Sequence, residues 1–233
     1  IVRELRCENP LLNLKLLGER NFGVSMAVLA IFGIGMLGGT YLLPLYMQKG
    51  LGYTAIMAGS VFLPVGLIQG VLSTCSGFLT RYIKPLFIAV TGILVMTLSF
   101  YFASRFTLHT THAQIMLVLY LRGFGMGLTF APLNDFSLMN LSQRDMASAA
   151  GISNSIKQLS GSVSIALLTV ILTGRTAFHS AQGGLSSAES YVAGISDDFL
   201  FVTFVSLASA LPFLWLLRPR RKAASFKSEG TGT

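Results

Sequence analysis

Six long apolar segments run through the chain of 233 residues, and charged or turn-forming residues bound each of them. They lie at about 22–46, 55–79, 86–103, 113–133, 146–173 and 199–217. A helix needs about 20 apolar residues to cross the hydrocarbon core of a bilayer, and only helices or closed barrels satisfy their backbone there. Barrel strands alternate in polarity over about ten residues, whereas these segments are apolar throughout. The sequence therefore predicts an all-α membrane protein whose six transmembrane helices form one lobe.

Composition supports this class, because only 11% of the residues are charged against about a quarter in a soluble domain. Cys7 and Cys75 lie in dissimilar surroundings and indicate no disulfide framework. The first residues are polar and lack the three regions of a signal peptide. Since the chain begins with Ile1, we expect it to be a fragment of a longer gene product.

The Lys and Arg residues outside the spans are distributed unevenly, with twelve on one side and three on the other. Such a bias predicts that both chain ends are cytoplasmic, and it explains the net charge of +8 without a nucleic-acid partner. Residues 1–21 are interpreted as a cytoplasmic connector and residues 22–217 as the six-helix lobe. Residues 218–233 are interpreted as a basic, disordered tail, and residues 174–198 as the longest outer loop.

Two basic side chains, Arg122 and Lys157, fall inside predicted spans, where a charge costs about 2.5 to 3.5 kcal/mol on insertion scales. Asp135 is the nearest carboxylate on the helix of Arg122, but about 20 Å of helix separates them. Arg122 therefore needs backbone carbonyls, a polar group on another helix, a water-filled cavity or a partner elsewhere. Snorkelling to the interface is the alternative for Arg122, and for Lys157 the functional and snorkelling readings both stay open.

The fifth segment carries small and polar residues at helical spacing, among them Asn154, Ser155 and Gln158. Such a face can line an aqueous path, or it can pack closely against neighbouring helices. Gln69 in the second segment is an amide that needs a partner or water. We assign Arg122, Lys157, Gln158, Asn154, Ser155 and Gln69 to a transport pathway or lobe interface. The small-xxx-small pairs Gly35/Gly39 and Gly123/Gly127 indicate close helix packing.

An intramembrane enzyme is the rival class, and the sequence lacks its groups. A rhomboid-type protease needs G-x-S-G on one helix and a His on another, but Thr74-Cys75-Ser76-Gly77 lacks the first Gly. His109, His112 and His179 all fall in predicted outer loops. No catalytic, cofactor-binding or metal-ligating set can be assembled from these residues.

Several motifs share their order and spacing with one transporter family. They are Asn9-Pro10 through Asn21-Phe22, Leu43-Pro44 through Gln48, Gly77 through Arg81, Leu121-Arg122-Gly123-Phe-Gly125-Met-Gly127, and Ala147 through Ser162. Over nearly its whole length the chain resembles the C-terminal half of a major facilitator superfamily exporter. The closest likeness is to the 14-helix drug:proton antiporters of the EmrB/QacA (DHA2) family. Asn13 and Thr80 stand where that family usually has Asp, and Lys157 stands where it has Arg.

The resemblance implies an inner-membrane carrier of two six-helix lobes, which exchanges protons for lipophilic compounds and needs no cofactor beyond the proton gradient. It implies as partners the N-terminal lobe, which this chain lacks, and in Gram-negative members a periplasmic adaptor protein and an outer-membrane channel. The chain alone is therefore not expected to transport. The alternatives are an exporter of a siderophore, amino acid or sugar, and a non-transporting membrane remnant or scaffold.

Overall fold

A computed structural model describes residues 14–138, 141–143, 145–181, 184 and 186–212. The helices are α1 (Arg20–Leu45), α2 (Ala55–Ser60), α3 (Phe62–Leu79), α4 (Pro85–Ala103), α5 (His112–Leu138), α6 (Met146–Ala181) and α7 (Ser187–Ala208). A 3-10 helix, Leu14–Gly18, precedes α1, and a π-turn, Tyr46–Gly50, continues it. No strand occurs in this described part of the chain.

Six helical spans in the described residues are long and apolar enough to cross a membrane. They are Asn21–Gly50, Ala55–Leu79 (α2 with α3), Pro85–Ala103, His112–Leu138, Met146–Ala181 and Ser187–Ala208. The prediction of an all-α, multi-pass membrane protein is confirmed. Most of the predicted connector and the whole predicted tail, residues 1–13 and 218–233, lie outside the described residues.

The last two helices differ from the prediction, which placed an outer loop at 174–198 and the sixth span at 199–217. In the structure α6 continues to Ala181 and α7 begins at Ser187. A capping box starts α7, because the Ser186 hydroxyl accepts from the Glu189 N–H while the Glu189 carboxylate accepts from the Ser186 N–H. The capping motif starts the helix 12 residues before the apolar run at Phe199. Residues 213–217 of the predicted span lie outside the described residues.

Helix α1 lies at the centre of the bundle and contacts α5, α6 and α7. Helix α4 packs between α5 and α7, and α3 packs chiefly on α5. The buried core includes Phe32 and Leu42 of α1, Ile93 and Phe100 of α4, and Phe199 of α7. On its other side α3 exposes large apolar side chains, as a helix does when it faces lipid or another apolar surface.

Small residues set how closely the helices approach one another. A Cβ atom on Gly125 of α5 would lie 2.8 Å from the Met96 Cβ of α4, and one on Gly127 would lie 2.7 Å from the Leu72 Cβ of α3. Such separations are too short for real atoms, so only glycine permits these two crossings.

The other three glycines of the predicted packing pairs also lie at helix contacts. Gly35 and Gly39 of α1 face Ser206 of α7 and Phe100 of α4, respectively. A Cβ on Gly123 of α5 would lie 3.1 Å from Val65 of α3. The two pairs therefore lie at different interfaces, around α1 and between α3 and α5.

Candidate functional site

Arg122 of α5 is only 3% exposed and reaches across to α1. Its Nη1 donates to the Gly39 carbonyl at 3.3 Å, and its Nη2 donates to the Met36 carbonyl at 3.1 Å and to the Thr40 hydroxyl. Its Nε has no hydrogen-bond partner. Among the described residues no carboxylate forms a salt bridge with it. The guanidinium thus uses backbone carbonyls and a hydroxyl of another helix, and its burial argues against snorkelling.

The turn of α1 that Arg122 binds lies directly before Pro44. Proline has no N–H, so the carbonyl of Thr40, four residues earlier, loses its helical partner. The Thr40 hydroxyl also donates to the Met36 carbonyl at 2.9 Å. The Arg122 side chain therefore ties α5 to the turn of α1 that ends at this freed carbonyl, a position from which it can restrain bending of that helix.

Lys157 of α6 lies against α5, with its Nζ 4.8 Å from the centroid of the Phe130 ring. It borders a cleft of about 20 Å³ between α1, α5 and α6, which is also lined by Met26, Phe32 and Asn134. A space of this size holds about one water molecule. Lys157 forms no salt bridge with a described carboxylate, and the aromatic face of Phe130 stabilises its cation.

One face of α6 carries exposed polar residues, interrupted by the exposed apolar residues Ile165 and Ala166. It carries Ser155, Gln158, Ser162, Thr169 and Thr173, which we call the α6 stripe. The four hydroxyls donate to carbonyls of their own helix, at 2.7 to 3.1 Å. The exposed amides of Gln158 in the stripe and of Asn154 beside it form no hydrogen bond within the described structure. These amides, rather than the hydroxyls, are the groups that need water or a partner.

The opposite face of α6 packs closely against α1. Ser164 donates to the Ile34 carbonyl at 2.7 Å, and the Ser153 hydroxyl lies 3.4 Å from the sulfur of Met26. Gly161 faces the side chain of Leu37. The face that packs on α1 fits the close-packing interpretation, whereas Asn154, Ser155 and Gln158 lie exposed on the other side of the helix.

Gln69 lies apart from this group, half-buried on α3. Its backbone carbonyl is 3.0 Å from the position of a Cβ on Gly127, so the residue marks the contact between α3 and α5. The structure thus brings Lys157 and the α6 stripe onto one helix beside α1, links Arg122 to α1 from α5, and leaves Gln69 on a different helix pair.

Asp198 was not predicted as a site residue; it lies inside α7 and is 0% exposed. Neither carboxylate oxygen has a hydrogen-bond partner. The neighbouring Asp197 is instead half-buried and accepts from the Arg175 Nε at 2.7 Å and lies 2.9 Å from the His179 Nε2. The capping motif Ser186-Ser-Ala-Glu189 was the available signal, because a helix that begins there contains both aspartates.

The family follows from comparison with known proteins. The model of the Major Facilitator Superfamily matches residues 3–165 of the chain. The chain belongs to the major facilitator superfamily. Members of this superfamily are transporters, and six apolar helices agree with a multi-pass membrane protein.

Relatives within the superfamily include multidrug exporters. An uncharacterised MFS-type transporter of Bacillus subtilis, YhcA, is 32% identical over 78% of this chain and 34% of its own length. The multidrug export protein EmrB of Escherichia coli K12 is 29% identical over 78% of this chain and 36% of its own. The lincomycin resistance protein LmrB of Listeria monocytogenes is 26% identical over 94% of this chain and 47% of its own. The chain thus spans about a third to a half of the length of these relatives, and the resemblance to EmrB-type exporters is confirmed.

Proposed function

We propose that the chain forms the second six-helix lobe of a proton-coupled exporter of lipophilic drugs or toxic compounds. The exposed α6 stripe is the observation that carries this proposal. The names of relatives support the proposed substrate class, since they include a multidrug export protein, a lincomycin resistance protein and, in Neisseria gonorrhoeae, a fatty acid resistance protein.

The amides of Asn154 and Gln158 explain why the stripe needs a second lobe. An amide moved from water into an apolar medium without a hydrogen bond costs about 2 to 7 kcal/mol. Both side chains are exposed on a membrane-spanning helix, so lipid is an unfavourable neighbour for them. A facing lobe and the water between the two lobes would satisfy both amides.

The residues beside the stripe are apolar, which limits its width. Leu159 is 67% exposed, and Val163 and Val170 are also exposed. These side chains are suited to lipid or to an apolar lobe contact. The boundary between polar and apolar faces on α6 therefore separates a proposed aqueous pathway from a lipid-facing or lobe-facing surface.

The same proposal includes orientation, location and partners. Both chain ends are cytoplasmic, the membrane is the bacterial cytoplasmic (inner) membrane, and the proton gradient supplies the driving force without a further cofactor. The N-terminal lobe is the obligatory partner, and a periplasmic adaptor and an outer-membrane channel extend the path where a second membrane is present. The uneven distribution of Lys and Arg supports the orientation.

Liposome transport tests the proposal. The two-lobe transporter is reconstituted with a pH-sensitive dye inside, and a pH gradient is imposed. We expect ethidium, as a lipophilic cation, to dissipate the gradient and to accumulate against its own concentration difference. The chain 1–233 alone is expected to do neither. Transport by this chain alone would overturn the proposal. Ethidium accumulation by the whole protein that continues after the pH gradient is collapsed would also overturn it.

A further inference from the structure

We propose that Asp198 is a proton-binding site of this lobe, which holds a proton while α7 is packed as in this structure. Asp198 lies 11 residues after the start of α7 and 10 before its end. The carboxylate is thus in the middle of a helix that packs against α1, α4 and α6.

The burial of Asp198 restricts which groups can stabilise its charge. The side chain is 0% exposed although no other chain is present, so a second lobe could not reach it without separating these helices. Both carboxylate oxygens lack a hydrogen-bond partner. An isolated buried charge is so unfavourable that such a group takes up a proton instead. In this packing the neutral acid is the form that fits.

The nearby cations are engaged elsewhere. Arg175 and His179 of α6 both bind Asp197, and Arg122 of α5 binds the backbone of α1. Lys49 of the π-turn lies over the Tyr191 ring, 5.7 Å from its centroid. No salt bridge joins Asp198 to any described residue.

Two more ionisable groups on the packed helices are Glu189 at the start of α7, which accepts from the Ser186 N–H, and Lys157 of α6, which lies over the Phe130 ring. The others whose side chains the structure describes are tyrosines and the neighbouring acid. Tyr191 of α7 interacts electrostatically with Asp198 and with Tyr41 of α1. Tyr46 donates its hydroxyl to the Thr107 carbonyl at 2.7 Å. Helix α4 contributes no charged side chain, and its one ionisable residue, Tyr101, is exposed.

Tyr191 and a turn that lines a cavity precede Asp198 on α7. The Tyr191 hydroxyl is buried and has no hydrogen-bond partner, while its ring lies under Lys49 of the π-turn. A cavity of about 570 Å³ is lined by Ser196, Asp197 and His179, so its wall includes the residue next to Asp198. When α7 loosens, a proton from water can bind one carboxylate oxygen of Asp198, which forms a single O–H bond and changes no other bond. Loosening of α7 would open the site to water and allow the acid to ionise.

Protonation can be tested on the chain 1–233 in lipid nanodiscs by infrared spectroscopy. We expect a carboxylic-acid C=O stretch at neutral pH that is lost in Asp198→Asn and kept in Asp197→Asn, the matched neighbour. Asp198→Glu should shift the frequency of this band, which assigns it even if the Asn variant misfolds. Absence of an acid band at neutral pH, or a band that disappears with Asp197 and not with Asp198, would overturn the proposal.

The link between this site and transport rests on the proposed function, so it needs a separate readout. In the two-lobe transporter, Asp198→Asn should lose uphill efflux driven by the pH gradient and retain exchange of labelled for unlabelled ethidium. Asp197→Asn should retain both. Gradient-driven efflux that survives in Asp198→Asn contradicts coupling through this residue. A wild-type protein with the acid band but without proton coupling would refute the proposed function and leave the proton site in place.

Discussion

Replacing Arg122 with Met separates a functional role of the cation from a structural one. The substitution removes three hydrogen bonds from α5 to α1. Interhelical hydrogen bonds in membranes contribute on average about 0.6 kcal/mol each, or about 2 kcal/mol for three. The substitution also removes the cost of placing a guanidinium at mid-helix, about 2.5 to 3.5 kcal/mol, and this gain offsets the lost hydrogen bonds.

The two terms nearly cancel, so we expect Arg122→Met to change the unfolding free energy by no more than about 1 to 2 kcal/mol. Drug resistance in cells that express the two-lobe transporter should nevertheless be lost, because the charge that ties α5 to the turn before Pro44 is gone. The measurements are SDS-induced unfolding of the purified protein and growth in the presence of drug, with expression matched by immunoblot.

Arg105→Met is the control for loss of a cation, since Arg105 is exposed and donates to the Tyr101 hydroxyl at 2.9 Å outside the bundle core. It should leave both resistance and stability near their wild-type values. Unchanged resistance in Arg122→Met would refute a functional role of the cation. If Arg122→Met instead lowers the unfolding free energy strongly, and resistance falls only in proportion to the amount of folded protein, the role of Arg122 is structural.

Two further substitutions test the packing and the corrected boundary of α7. Gly125→Ala forces a Cβ to within 2.8 Å of Met96 and should lower the unfolding free energy by about 1 to 3 kcal/mol. Gly70→Ala, where nothing lies within 4 Å, should leave the thermal midpoint unchanged or raise it. Equal effects of the two would contradict the close α4–α5 crossing. Ser186→Ala removes the helix cap, which stabilises by about 1 kcal/mol, and should speed hydrogen exchange in the first turn of α7. Unaltered exchange there would argue that the helix starts later.

The number and character of the spans could be predicted, because an apolar run of about 20 residues has few other stable forms in lipid. The start of α7 was missed because its first half is less apolar than its second, whereas a capping box sets where it begins. That error hid Asp198, which a loop assignment treats as an ordinary exposed acid.

Contacts between helices were the part that sequence could not supply. Arg122 was recognised as a charge in need of partners, but no local pattern identifies Met36, Gly39 and Thr40 of α1 as those partners, more than 80 residues away. Helix α6 illustrates the same limit. Its polar residues suggested both packing and a water path, and only the position of α1 shows which of them are packed and which stay exposed.

Reaction of single cysteines on α6 with a membrane-impermeant maleimide tests the account most directly. Gln158 lies in the α6 stripe, and Leu159 is its exposed apolar neighbour at the same depth. In the two-lobe transporter, Gln158→Cys should be labelled because water reaches the stripe, and excess drug should protect it from labelling. Leu159→Cys should stay unlabelled, because it faces lipid or an apolar contact. Equal labelling of the two positions, or labelling of Leu159→Cys alone, would contradict an aqueous pathway along this face.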